Sequence, residues 1–113
     1  MRSRTAKLQE LEKNRWSVFT DELKSCYFCK KPSAEIHEIL YGAKRTQSMK
    51  WGLCLPLCHE HHMSMHKNHK LTLLWQIKCQ EYFVEKYSYE DWMKIFHCDY
   101  KYKLRKREED ENG

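Results

Sequence analysis

Three glycines and two prolines are all that interrupt 113 residues, so the chain is neither a collagen-like repeat nor a Pro/Gly-rich low-complexity segment. No apolar run approaches the roughly 20 residues needed to span a bilayer. The first ten residues, M-R-S-R-T-A-K-L-Q-E, are charged and lack the apolar segment of a secretory signal. Six cysteines in so short a chain would otherwise fit a secreted disulfide scaffold. Without a leader, the expectation is a soluble protein in a reducing cytoplasm. No internal repeat is present.

What remains is globular and rich in helix formers. Hydrophobic residues make up 41% of the chain, and four Trp, seven Tyr and four Phe are available for a core. The length allows one domain at most, and a domain this small buries a modest share of its surface, so a bound metal would help to hold it. With 21 Lys and Arg against 16 Asp and Glu, the net charge is +5, which suits a polyanionic partner without requiring one.

The chemistry concentrates between Cys54 and His69, C-L-P-L-C-H-E-H-H-M-S-M-H-K-N-H, which holds five of the seven histidines and two of the six cysteines. Thiolate and imidazole are the usual ligands of zinc-like ions, and this run can serve two ions if its ligands point to opposite sides. Upstream, Cys26-Tyr27-Phe28-Cys29 followed by Lys-Lys-Pro-Ser gives a C-x2-C pair on a tight turn, the local form of a zinc knuckle. Cys58 and His61, spaced C-x2-H, supply the complementary pair. Cys26, Cys29, Cys58 and His61 together make a Cys3His tetrahedron, closed and therefore structural. Cys54 competes with Cys58 for that position or is a buried thiol, and Cys79 and Cys98 read as buried thiols. His62 and His66 stand one helical turn apart and share a face. With His37 on a strand opposite, three imidazoles would leave coordination positions open, which is what a catalytic ion needs; alone, the His62/His66 pair equally fits a solvated helix face.

Periodicity predicts a helix over residues 5–16, with Leu8, Leu11 and Trp16 near one face, and an extended link over 17–24. A strand over 34–41 ends at Gly42, followed by a basic loop over 43–50 and a second strand over 51–55. A helix starts near His59 and breaks around 68–70. Residues 71–87 place Leu71, Trp75, Cys79, Phe83 and Tyr87 at i, i+4 steps, and Ser88 with Asp91 caps one further helix that buries Trp92, Ile95 and Phe96. The ending divides into a basic block, 101–107, and an acidic one, 108–111, which read as solvated and frayed. The expectation is one domain over 1–104 with a disordered charged tail over 105–113.

The order C-x2-C, then His37-Glu38-Ile39, then Leu57-Cys58-x2-His61-His62-x3-His66 resembles the His-Asn-His (HNH) endonucleases of the ββα-metal, or His-Me finger, superfamily. More narrowly it resembles small HNH-type proteins of phages and prophages of Gram-positive bacteria. That likeness extends to Arg15–Asp21, Gly42, Gly52-Leu53, Gln80–Phe83 and Tyr87–Asp91 through Ile95-Phe96, and spans roughly residues 15–104. The resemblance implies an α+β fold in which a β-hairpin and a helix clasp one divalent ion (Mg2+, Mn2+, Ni2+ or Zn2+), braced by a structural zinc knuckle. It implies a phage-encoded, metal-dependent DNA endonuclease in a host bacterial cytoplasm that nicks with little sequence specificity. Other phage replication, recombination or packaging proteins would be further partners. Residue by residue, it carries His62 and His66 to the ion and His37 to the strand doublet that supplies a ligand and a base. That doublet is usually Asp-His or His-His, and its second residue here is Glu38. Two assignments follow: His37 is the base, or His37 is a ligand and Glu38 takes the proton. No Asn occurs between His37 and Cys58, so the middle letter of the motif is absent. This departure leaves room for a non-catalytic, zinc-stabilised DNA-binding or recombination-accessory module, and for a zinc-knuckle adaptor. For DNA, Lys44, Arg45 and Lys50 between the strands are the candidate phosphate contacts, with Lys67 and Lys70 in reserve.

Overall fold

The computed structural model describes residues 9–112. Among the described residues it is a small α+β structure of six helices and one two-stranded antiparallel sheet, and the chain divides into two compact units, Met1–Lys67 and Asn68–Gly113. No helix among the described residues is long and apolar enough to cross a membrane.

In the first unit, α1 covers residues 9–13, the described part of the helix expected over 5–16; Leu8 lies outside the described residues. The following link, expected to be extended, is irregular, with bends at 18, 19, 21 and 24; Ser17 Oγ donates to the Cys54 carbonyl at 2.7 Å. Cys26 to Lys31 turn back on themselves: Lys30 N–H donates to Cys26 O at 2.9 Å, Cys26 N–H donates to Lys31 O at 2.8 Å, and Lys30 and Ser33 take positive φ. Strand β1, Glu35–Glu38, pairs with β2, Cys54–Leu57, in the register Glu35 to Leu57 and His37 to Leu55.

Both strands differ from expectation in extent, and the reason lies between them. Residues 43–50 are helical rather than a loop: a 3-10 turn, Gly42–Lys44, runs into α2, Arg45–Lys50. Trp51 and Gly52 then close α2 instead of opening the strand, because their N–H groups donate to Gln47 O and Met49 O. Gly52 sits at φ +69° with the Trp16 ring where a Cβ would fall, 2.9 Å away, so no other residue fits that turn. The strand consequently starts at Cys54 and takes in Pro56. A proline is tolerated at the edge of so small a sheet, and its carbonyl accepts from Tyr27 N–H at 2.7 Å, which ties the cysteine turn to β2. Ile39, Leu40, Leu53, Leu55 and Leu57 are fully buried. Helix α3, His59–Lys67, follows β2 directly.

The second unit is three helices: α4, His69–Lys86; α5, Tyr89–Phe96; and α6, Tyr100–Asn112. Asn68 caps α4 by accepting from Leu71 N–H, and Ser88 caps α5 by accepting from Asp91 N–H at 3.0 Å. Of the stripe that the spacing predicts, Trp75, Cys79 and Phe83 are buried along α4, Leu71 is half-buried and Tyr87, past the helix end, is exposed. Phe83, Trp92, Phe96 and Tyr100 form one aromatic cluster, with Trp92 and Phe96 ring centroids 4.2 Å apart. The charged ending is not frayed at 105: α6 continues through it to Asn112. Its basic-then-acidic order opposes the helix dipole. Three local features offset that: Asp99 accepts from Tyr102 N–H at 3.1 Å, Gln80 Oε1 accepts from Tyr100 N–H at 2.7 Å, and Lys101 pairs with Glu81 at 3.0 Å.

Candidate metal centres

Helix α3 begins immediately after β2, so its first turn lies beside the sheet. Consecutive helical residues diverge by about 100°. His61 and His62 therefore leave the helix in different directions, and each meets a different set of partners.

His61 turns toward the cysteine turn. Its Nδ1 lies 3.4 Å from Cys26 Sγ and 3.2 Å from Cys58 Sγ, and Cys29 Sγ lies 3.7 Å from Cys58 Sγ. All four ligand atoms fall within 4.8 Å of one another. Tetrahedral zinc with bonds of about 2.3 Å to sulfur and about 2.0 Å to nitrogen requires S···S near about 3.8 Å and S···N near about 3.5 Å. The observed spacings fit that tetrahedron, and the four cysteine and histidine side chains can hold a metal such as zinc. Burial would push the Cys26 thiol up, yet backbone N–H groups of Cys29, Cys58 and Phe28 outweigh it and bring it down to about 6. In Cys29 the Lys31 N–H favours the thiolate, but burial and the neighbouring Cys26 and Cys58 sulfurs leave its pKa raised. A cation among the sulfurs would relieve that crowding of negative charge.

Cys54 does not join this group. It is buried opposite Glu38 in the sheet register, its Sγ donates to Trp16 O at 3.2 Å, and burial pushes its thiol up. The C-x3-C alternative for the fourth ligand is thereby removed. Cys79 is likewise buried, and Cys98 partly so.

His62 turns toward β1. His37, His62 and His66 bring one ring nitrogen each within 4.8 Å of the others, with ring centroids 5.1, 5.3 and 4.8 Å apart. His37 is 3% exposed, and its buried Nε2 has no hydrogen-bond partner. Burial, and then the neighbouring His62 and His66, hold its pKa down to about 4, so the imidazole is neutral at pH 7 and keeps a lone pair. Three imidazoles grouped in this way, one of them with an unpartnered buried ring nitrogen, are a donor set that a borderline divalent ion can take. His66 is exposed, so the cluster is open on that side.

Glu38, the second residue of the strand doublet, is turned away from these rings. Side chains alternate across a strand, and Glu38 lies on the face opposite His37. There its carboxylate pairs with Arg15 and accepts from Ser48 Oγ at 3.5 Å, and it is 9% exposed. The expectation that Glu38 abstracts a proton at the histidines meets a carboxylate already committed elsewhere. The same alternation puts Glu35 on the His37 face, where its Oε1 is 2.8 Å from His62 Nδ1 and its Oε2 is 3.5 Å from His59 Nδ1. Glu35 is the site residue that motif spacing misses; the i−2 relation to His37 was the signal available.

The basic candidates are partly engaged. Arg45 pairs with Glu12 at 2.8 Å, Lys50 Nζ lies 5.7 Å from the Trp51 ring centroid, and Lys44 is half-buried in the 3-10 turn. Lys67 and Lys70 are exposed. Comparison with protein-family models, with curated proteins and with solved structures found no match.

Proposed function

We propose that the chain is a metal-dependent DNA endonuclease of the HNH type, with β1, β2 and α3 as a ββα-metal site that nicks one strand at a time. The observation that carries this reading is the convergence of His37, His62 and His66 beside a separate, closed Cys3His group. Division of labour is the point. The sulfur-rich group has four ligands and no position left for a substrate, whereas three imidazoles leave positions open.

His37, His62 and His66 would hold one divalent ion, which when bound polarises the scissile phosphodiester and takes up charge on its leaving oxygen. Neutral His37 holds its lone pair ready without first losing a proton. β1 and α3 fix the rings from two directions, so that their spacing depends little on side-chain freedom. Lys50 is exposed and Arg45 exchanges its Glu12 partner for phosphate at modest cost, since exposed ion pairs contribute little. Both would meet phosphates through charge alone, which favours low sequence specificity and steep weakening by salt.

A second reading is a DNA-binding or recombination-accessory module without hydrolytic activity. It is favoured by the burial of Glu38 against Arg15, which removes the doublet's second side chain from the histidines. Supercoiled plasmid incubated with Mg2+, Mn2+, Ni2+ or Zn2+ separates the two. Nicking by the wild type that is lost in His62→Ala supports the endonuclease; binding without nicking in any of these metals overturns it in favour of the module.

A further inference from the structure

We infer that Glu35 is a positioning residue for the imidazole cluster: it fixes His62 in the Nδ1-protonated form and turns Nε2 toward the ion. This deepens the metal-site reading of His37, His62 and His66 and rests on it.

Glu35 and His37 share a face, and α3 lies against that face with His59, His62 and His66 at i, i+3 and i+7. An ionised carboxylate has acceptors only. At 2.8 Å from Glu35 Oε1, His62 Nδ1 must therefore be the donor, and the neutral ring that a metal takes as ligand carries a single N–H. The proton is placed on Nδ1 and the lone pair on Nε2. The second oxygen faces His59 Nδ1 at 3.5 Å, which limits rotation of the carboxylate. Glu35 is absent from the set of converging ligand atoms, so it acts on the ligand and not as one. Outer partners of this kind orient the ring and raise ligand basicity, and their loss costs about 10–100-fold in metal affinity.

The contrast with Glu38 sharpens the assignment. Two carboxylates flank the centre of one four-residue strand; one is sealed against Arg15, and the other is 47% exposed and bonded to a candidate ligand. An exposed carboxylate beside a histidine of α3 would, as mere surface decoration, leave the ring's tautomer and its metal affinity unchanged.

The test uses the full chain with its cysteine site loaded with zinc. Long-range 15N–1H spectra read the His62 ring tautomer before any second ion is added, and calorimetric titration with Ni2+ reads the second site. In the wild type the Nδ1–H form is expected to dominate. Glu35→Ala is expected to give mixed tautomers and Ni2+ affinity lowered about 10–100-fold, with zinc content and thermal midpoint unchanged. Glu35→Gln, which keeps a neutral acceptor oxygen, is expected to recover most of the tautomer preference and part of the affinity. Wild-type tautomer and affinity in Glu35→Ala would overturn the inference while leaving the metal site standing. Absence of any second-site binding in the wild type would overturn both.

Discussion

The two units hold themselves together by different means. Residues 26–66 bring possible ligand atoms together from far apart in sequence: the sheet is only two four-residue strands, and the Cys3His group links a turn near residue 26 to the start of α3. Residues 68–112 have no such group among those described and rely on Phe83, Trp92, Phe96 and Tyr100 packed ring against ring, with each helix capped by a side chain. The difference teaches where a substitution should be felt. In the first unit, a metal held by the Cys3His group would make geometry at one sulfur decide folding, because binding free energy of a structural ion is folding free energy. In the second, cost follows buried volume.

The largest effect is expected from Cys29→Ser. Structural zinc in small domains contributes about 10–16 kcal/mol of apparent binding free energy. Loss of one thiolate should release the ion and unfold residues 26–66, seen as zero bound zinc and collapsed amide dispersion for that segment. A folded, zinc-loaded Cys29→Ser protein would break the comparison. Next is Trp92→Ala, which removes a fully buried indole and should cost about 3–5 kcal/mol in denaturant titration, with zinc content unaltered.

The smallest effect concerns Asp99. Burial pushes its carboxyl up, but hydrogen bonds from Gln80, Tyr102 N–H, the Tyr89 hydroxyl and Lys101 N–H outweigh that and hold it below the usual carboxylate range. A depressed folded value means that its stabilisation is fully present above the unfolded value of about 3.9 and is lost as pH falls through the folded one. Asp99→Ala should cost about 0.5–2 kcal/mol at neutral pH as a lost cap. It should also flatten the acid limb of the second unit's stability curve, and an unchanged limb would remove Asp99 from the account.

The sequence was most readable where chemistry sets spacing. C-x2-C, C-x2-H and the one-turn His62/His66 interval each encode a distance, and the structure brings those side chains together as two groups. Ser88 and Asp91 announced a helix start for the same reason. It was least readable where a tertiary partner decides. Residues 43–50 look like a basic loop, yet Ser48 and Met49 are buried and draw the segment into α2. The charge order of 100–112 argues against a helix, and only the position of Asp99 beside Gln80 shows how its first N–H groups are satisfied. Glu38 invited a catalytic role by its neighbour, whereas the pleat gives that neighbourhood to Glu35.

The proposed division of α3 between two metals is tested most directly by counting ions. Native mass spectrometry of the full chain, loaded with zinc and then with a second divalent ion, should give two ions per wild-type chain. His66→Ala should hold one, with its fold retained. One ion in the wild type, or loss of fold in His66→Ala equal to that in Cys29→Ser, would contradict the two-centre account.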